Sequence, residues 1–182
     1  LMRQRASNWM IFSGAGLSVY GGFILAFILS MILIRKSKES ILEIFDIVVP
    51  AMTLAYGVGR LGCHVSGDGC YGIATSTILG TPYPNGIVPV TAAVFPTPLF
   101  ESFVSFMLFI FFMKLRKKEL PAGLIFFLYL VLNGTARFLV EFIRLNPKIA
   151  LNLTQAQVVG ILYVITGALG IFLVRKLARK AA

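Results

Sequence analysis

The sequence is poor in the residues from which most soluble enzymes build their sites. Of 182 residues, one is His (His64), two are Cys (Cys63 and Cys70), one is Trp and only seven are Asp or Glu. A Ser/His/Asp triad could be built only on His64, and a four-cysteine zinc site is excluded. Charged residues make up 13% of the chain, against about 25% in a soluble domain. Apolar residues make up 58%, against about 45–50%. These deviations exclude an ordinary soluble enzyme, a disordered chain and a disulfide-stapled secreted module. Neither an internal repeat nor a low-complexity tract is visible. The chain opens Leu1-Met2-Arg3, without a start methionine and without the basic-then-apolar pattern of a signal peptide. An N-terminal part is therefore expected to be missing.

What the chain does have is long apolar runs. A membrane-crossing helix needs about 20 mostly apolar residues. Five segments qualify, at about 16–34, 41–61, 98–113, 120–143 and 154–174. The net charge is +10. Placing the C-terminal end of the first span in the cytoplasm puts 11 of the 17 basic residues on that side, at 35, 36, 38, 114, 116, 117, 118, 175, 176, 179 and 180. The expectation is one all-α, polytopic membrane domain over 1–182. It has about five transmembrane helices and a Gly-rich outer loop at 62–97. The cytoplasmic clusters are topology anchors, so the basic excess does not call for nucleic acid.

The remaining polar residues gather at the outer ends of the spans. Asn133, Arg137, Glu141 and Arg144 are spaced by 4, 4 and 3, which places them on one helix face. A charged stripe on a greasy helix must face a partner or a wet cavity. It is either a packing ladder or an anion site, for which the planar guanidinium fork suits phosphate. Six glycines between Gly57 and Gly72 predict that the second helix breaks near Arg60, at the depth of Arg137. Thr97 and Pro98 read as the start of a helix, with Glu101 in its first turn as a capping carboxylate, an arginine partner or a site carboxylate. Tyr20 sits among small residues as an interface anchor or a hydrogen-bond donor. Cys63, His64, Asp68 and Cys70 make a poor metal cluster, because an adjacent Cys-His pair suits one ion badly. A Cys63–Cys70 disulfide is a second option for the two thiols, and plain small loop residues a third.

Four segments together resemble the bacterial phosphatidylglycerol–prolipoprotein diacylglyceryl transferases. Gly59-Arg60-Leu-Gly62-Cys63-His64-Val-Ser66-Gly67-Asp68 looks like the family signature. Phe95-Pro-Thr-Pro98-Leu-Phe-Glu101 is similar to its His-Pro-Ser-Gln-Leu-Tyr-Glu segment. Arg137-Phe-Leu-Val-Glu141-Phe-Ile-Arg144 matches its Arg-Phe-x-x-Glu-x-x-Arg segment. Ser18-Val-Tyr20-Gly21-Gly22 stands where the family has Ser-Phe-His-Gly-Gly. The departures are Tyr20 for the family's common His, Cys63 and Ser66 where Asn is commoner, Asp68 for Glu, and a loop lengthened by Gly69 and Cys70.

The resemblance implies transfer of a diacylglyceryl group from phosphatidylglycerol to the lipobox cysteine of a preprolipoprotein signal peptide, in the bacterial inner membrane with the site toward the periplasm. It implies Arg137, Tyr20 and Glu101 as catalytic residues. Arg60, Arg137, Glu141, Arg144, Asp68, Gly67 and Asn133 would bind the phospholipid, with Glu141 orienting Arg137 and Arg144. Membrane lipid is the medium and source of substrate, and neither cofactor nor metal is called for. It also implies about two further N-terminal spans. The alternatives are a small transporter or channel with an outer anion-binding vestibule, and a structural subunit held by an Arg/Glu ladder.

Overall fold

The structure is a computed structural model that describes residues 40–144, 146, 148–150 and 153–181, together with Ile28 and Ile32. The expected first span, apart from those two residues, and Tyr20 lie outside the described residues. Leu1–Ile44 and Phe45–Ala182 form two compact units.

Four helices long and apolar enough to cross a membrane occur among the described residues. They are α1 (Ile41–Ser66), α2 (Thr97–Leu115), α3 (Leu124–Val140) and α4 (Gln155–Ala181). A 3-10 turn over Glu141–Ile143 continues α3. They correspond to the second to fifth expected spans. Val58, Phe103, Leu139 and Phe172 are each more than half exposed on these helices. Acyl chains cover such a surface, whereas water would penalise it. Val49, Phe112 and Ile125 form a fully apolar core between α1, α2 and α3, at the end away from the long loop.

Three boundaries differ from expectation, each for a physical reason. The glycines do not end α1 near Arg60; the helix runs on to Ser66. Helical Gly costs about 1 kcal/mol relative to Ala, but in lipid the backbone has no solvent to bond if the helix opens. Gly57 is used for packing instead. A Cβ there would stand 3.1 Å from Ser105 Cβ and from Phe106, and the Ser102 hydroxyl donates to the Gly57 carbonyl at 2.9 Å.

At the start of α2, Thr97 does not cap. The cap position is Pro96 without a side-chain bond, and the Thr97 hydroxyl donates to the Cys70 carbonyl in the loop. Glu101 therefore lies beyond the first turn. At the end of α3, the regular helix stops at Val140 and Arg144 is extended, at φ −95° and ψ 152°. The loop captures this backbone. Ile73 N–H donates to the Ile143 carbonyl at 2.8 Å, and Gly72 bridges Arg144. The one-face reading thus fails at Arg144.

Helices α3 and α4 touch through small residues. A Cβ on Gly134 would lie 2.7 Å from the Gly160 carbonyl oxygen, and one on Gly160 would lie 2.9 Å from that of Gly134. Such backbone approach replaces the hydrophobic drive that helix pairs lack in lipid. At the other end of α3, Asp46 of α1 acts as a cap in trans. Its two carboxylate oxygens accept from Gly123 N–H and Phe126 N–H, both at 2.7 Å. A carboxylate is favoured there by the orphan N–H groups and the helix dipole.

The long loop is more ordered than its composition suggests. It holds an antiparallel pair, β1 (Thr81–Tyr83) and β2 (Val90–Val94), with Thr81 opposite Val94 and Tyr83 opposite Val90. Tyr71 stacks on Tyr83 at 4.2 Å between centroids, and both are buried with Val94. A second short pair, β3 (Lys148–Ala150) and β4 (Leu153–Thr154), links α3 to α4. These strands decorate a helical membrane protein without changing its class.

Candidate functional site: a paired-arginine cavity

The polar residues converge at the loop end of the bundle because α1 and α3 finish there while α2 and α4 begin there. Glu101 of α2 is the centre, with its side chain only 3% exposed. Arg60 Nε of α1 lies 3.0 Å from Glu101 Oε2, and Arg137 Nη1 of α3 lies 2.5 Å from Oε1. Tyr56 ties the three together. Its hydroxyl donates to Glu101 Oε1 at 2.9 Å, and accepts from Arg60 Nε at 3.0 Å and from Arg137 Nη1 at 3.1 Å. Tyr56 and Arg60 are four residues apart on α1, so one helix face delivers both.

A buried carboxylate is costly unless paired, and here two cations share it. The cluster of Arg60, Arg137 and Glu101 keeps one net positive charge. Arg137 makes these bonds through Nη1, so its Nε and Nη2 remain as a two-point fork. Both guanidiniums border a cavity of about 580 Å³. Its other polar walls are Asn133 and Glu141 from the end of α3, Asn146, and Gln155 and Tyr163 from α4.

Of the residues expected at the site, Arg60, Arg137, Glu141 and Asn133 border this cavity. Glu101 stands behind the arginines. Glu141 is buried, but its partner is Asn146 Nδ2 at 2.6 Å, and Glu101 holds the arginine that Glu141 was expected to orient. Arg144 turns away with the extended backbone, and its Nε is buried without a hydrogen-bond partner among the described contacts. Gly67 and Asp68 do not border the cavity. Gly67 has φ +59°, and a Cβ there would meet the Gly86 backbone at 2.6 Å, so its role in the fold is the turn after α1. His64 Nδ1 pairs with the Tyr83 hydroxyl at 2.7 Å and supports the loop. Burial and neighbouring Tyr71 push the Tyr83 phenol up to about 12, which keeps it neutral.

Asp68 faces the two thiols. Partial burial pushes its carboxyl up, but hydrogen bonds from Cys63, Cys70 and the Cys70 N–H outweigh this and hold it below the usual carboxylate range. That N–H donates to Oδ1 at 3.0 Å. Both cysteines are free. Sequence reasoning missed Tyr56, Asn146 and Gln155. Only Tyr56 carried a signal, its four-residue spacing from Arg60; the other two border the cavity from either side of the β3–β4 pair, Asn146 before β3 and Gln155 after β4.

Fold and site together define a polytopic helical membrane protein with a charged cavity, bordered by two carboxylate-held arginines, at the loop end of the bundle. The family model for prolipoprotein diacylglyceryl transferases matches residues 3–173. The chain belongs to that family.

Three relatives carry the name phosphatidylglycerol–prolipoprotein diacylglyceryl transferase, one of them with the suffix 2. The protein of Leptospira interrogans is 41% identical over 149 residues, covering 80% of this chain and 47% of the relative. That of Dehalococcoides mccartyi is 38% identical over 172 residues, covering 91% and 65%. The second such protein of Clostridium perfringens is 30% identical over 165 residues, covering 90% and 64%. The chain thus spans between about half and two thirds of the length of these relatives.

Proposed function

We propose that this protein transfers the diacylglyceryl group of phosphatidylglycerol to the lipobox cysteine thiol of a preprolipoprotein, as the names of its relatives indicate. The observation that carries the reading is the pair of arginines, fixed on one buried carboxylate at the end of a membrane-spanning bundle and bordering a 580 Å³ cavity. A phosphodiester seated against Arg60 and the free edge of Arg137 has its charge matched before reaction. The substrate thiolate attacks the glyceryl carbon of the diacylglyceryl group. A C–S bond forms, the C–O bond to phosphate breaks, and glycerol 1-phosphate leaves with the electron pair. The arginines stabilise the charge that grows on the departing phosphate.

Deprotonation of the thiol needs a base. Glu101 is ion-paired with both arginines, with Oε1 hydrogen-bonded and Oε2 left without a hydrogen-bond donor among the described residues, which suits a carboxylate that positions the two cations. Tyr20, standing where the family commonly has His, is the other candidate for the base. The loop end faces the periplasm in this reading, and the membrane is the bacterial inner membrane. Transport is disfavoured because the polar lining gives way to the apolar core of Val49, Phe112 and Ile125.

The test is transfer in proteoliposomes containing phosphatidylglycerol and a lipobox peptide. The wild-type chain adds the diacylglyceryl mass to the peptide, and Arg137→Ala abolishes it while still inserting. Full lipidation by Arg137→Ala would sink the assignment.

A further inference from the structure

The thiols of Cys63 and Cys70 and the carboxylate of Asp68 form a second cluster of ligands that the transfer reaction does not use. The three donor atoms lie within 4.8 Å of one another. We propose that this cluster is a binding site for one thiophilic divalent cation of the zinc type, held by Cys63 Sγ, Cys70 Sγ and one Asp68 oxygen, with the fourth position open to water.

Four observations support it. First, Zn–S bonds of about 2.3 Å and Zn–O bonds of about 2.0–2.2 Å set tetrahedral donors roughly 3.5–3.8 Å apart. The donor atoms here, all within 4.8 Å of one another, stand at most about 1 Å outside that range. Second, the backbone prepares the loop. Gly67 at φ 59° and Gly69 at φ 90° flank Asp68 and turn the chain back, so that Cys70 returns to the end of α1 beside Cys63. The Cys70 N–H donates to Asp68 Oδ1 and holds the carboxylate beside the two thiols. Third, a cation flanks the donors. Two thiolates and a carboxylate carry three negative charges and a divalent cation two positive; the Arg60 guanidinium, which also pairs with Glu101, stands beside the sulfurs. Arg60 Nη1 lies 3.8 Å from Cys70 Sγ and 4.0 Å from Cys63 Sγ, where an N–H stabilises metal-bound thiolate. Fourth, all three residues are half-buried, so an ion can enter from the loop side. His64 takes no part, being paired with Tyr83. Sulfur donors select zinc over magnesium or calcium.

The site shares Arg60 with the transferase reading, but its test reads metal binding and needs no transfer activity. Reduced, purified protein is titrated with Cd²⁺ as a spectroscopic probe, and thiolate-to-cadmium charge transfer is followed in the ultraviolet. The expected result is a band saturating at one ion per chain and reversed by chelator. Cys63→Ser and Cys70→Ser each abolish it. Asp68→Asn, with both thiols intact, weakens Cd²⁺ binding at least about tenfold. Absence of the band in reduced wild type, a full band in either serine variant, or unchanged affinity in Asp68→Asn would overturn the proposal. A Cys63–Cys70 disulfide persisting under thiol reductant, read by mass and thiol titration, would overturn it equally.

Discussion

Glu101→Gln removes one charge and almost no volume, and it tests the logic of the cavity directly. The carboxylate is 3% exposed and pairs with two guanidiniums that are 14% and 25% exposed. Neutralising it leaves Arg60 and Arg137 facing each other, and their shared positive charge rises from one to two. Breaking a buried ion pair from one side costs about 3–5 kcal/mol. The partial exposure of both arginines points to the lower end, about 3 kcal/mol. That corresponds to a roughly 100-fold loss in transfer if it appears wholly as misplaced arginines in the transition state.

A base and a positioning carboxylate differ in coupling. If Glu101 acts through Arg60, the double variant Glu101→Gln/Arg60→Gln costs much less than the two single variants together, with a coupling of about 1–3 kcal/mol. If Glu101 takes the thiol proton itself, kcat falls while the effect of Arg60→Gln stays additive. The assay is the proteoliposome transfer reaction, with kcat and KM separated by varying phosphatidylglycerol, alongside thermal unfolding in detergent. Additive losses, or wild-type kinetics in Glu101→Gln, would refute the positioning argument.

Further outcomes follow from other contacts. Tyr56→Phe removes the hydroxyl shared by Glu101, Arg60 and Arg137 and costs about 1–3 kcal/mol in stability, read by thermal unfolding. Gly134→Ala places a methyl 2.7 Å from the Gly160 carbonyl and costs about 1–3 kcal/mol by forcing α3 and α4 apart; an unchanged melting temperature would contradict the close contact. Asp46→Ala uncaps α3 and costs about 1–2 kcal/mol, measured the same way. Asp68 titrates below the ordinary carboxylate range in the folded state, so its stabilising contribution is present above that range and is lost as pH falls through the folded value. Asp68→Asn should flatten the acid side of the stability profile, and an identical profile would count against the hydrogen-bonded carboxylate.

Most of the span pattern was legible because the hydrophobic requirement of a bilayer acts on single segments. Apolar runs at 41–61, 98–113, 120–143 and 154–174 need no partner to be recognised. The arginines were legible for a related reason, since Arg137 among Phe, Leu and Val is too costly at depth without a purpose. Helix ends were less so. Gly57 reads as a breaker until Ser105 and Phe106 are seen packed against it, and Arg144 reads as helical until Gly72 and Ile73 take the backbone around it.

The sequence alone therefore determined the class of the protein, its apolar spans and which charges stand among them, because each depends on local composition against the solvent. Tertiary structure decided the pairing. Glu101, rather than Glu141, holds the arginines; Tyr56 bridges them; Asp68 faces two thiols rather than the cavity. Those partners lie on different elements, 36 or more residues apart for Glu101 with Tyr56 or Arg137. No periodicity along one helix encodes the distance between two, and a carboxylate's partner in a low-dielectric interior is set by that distance.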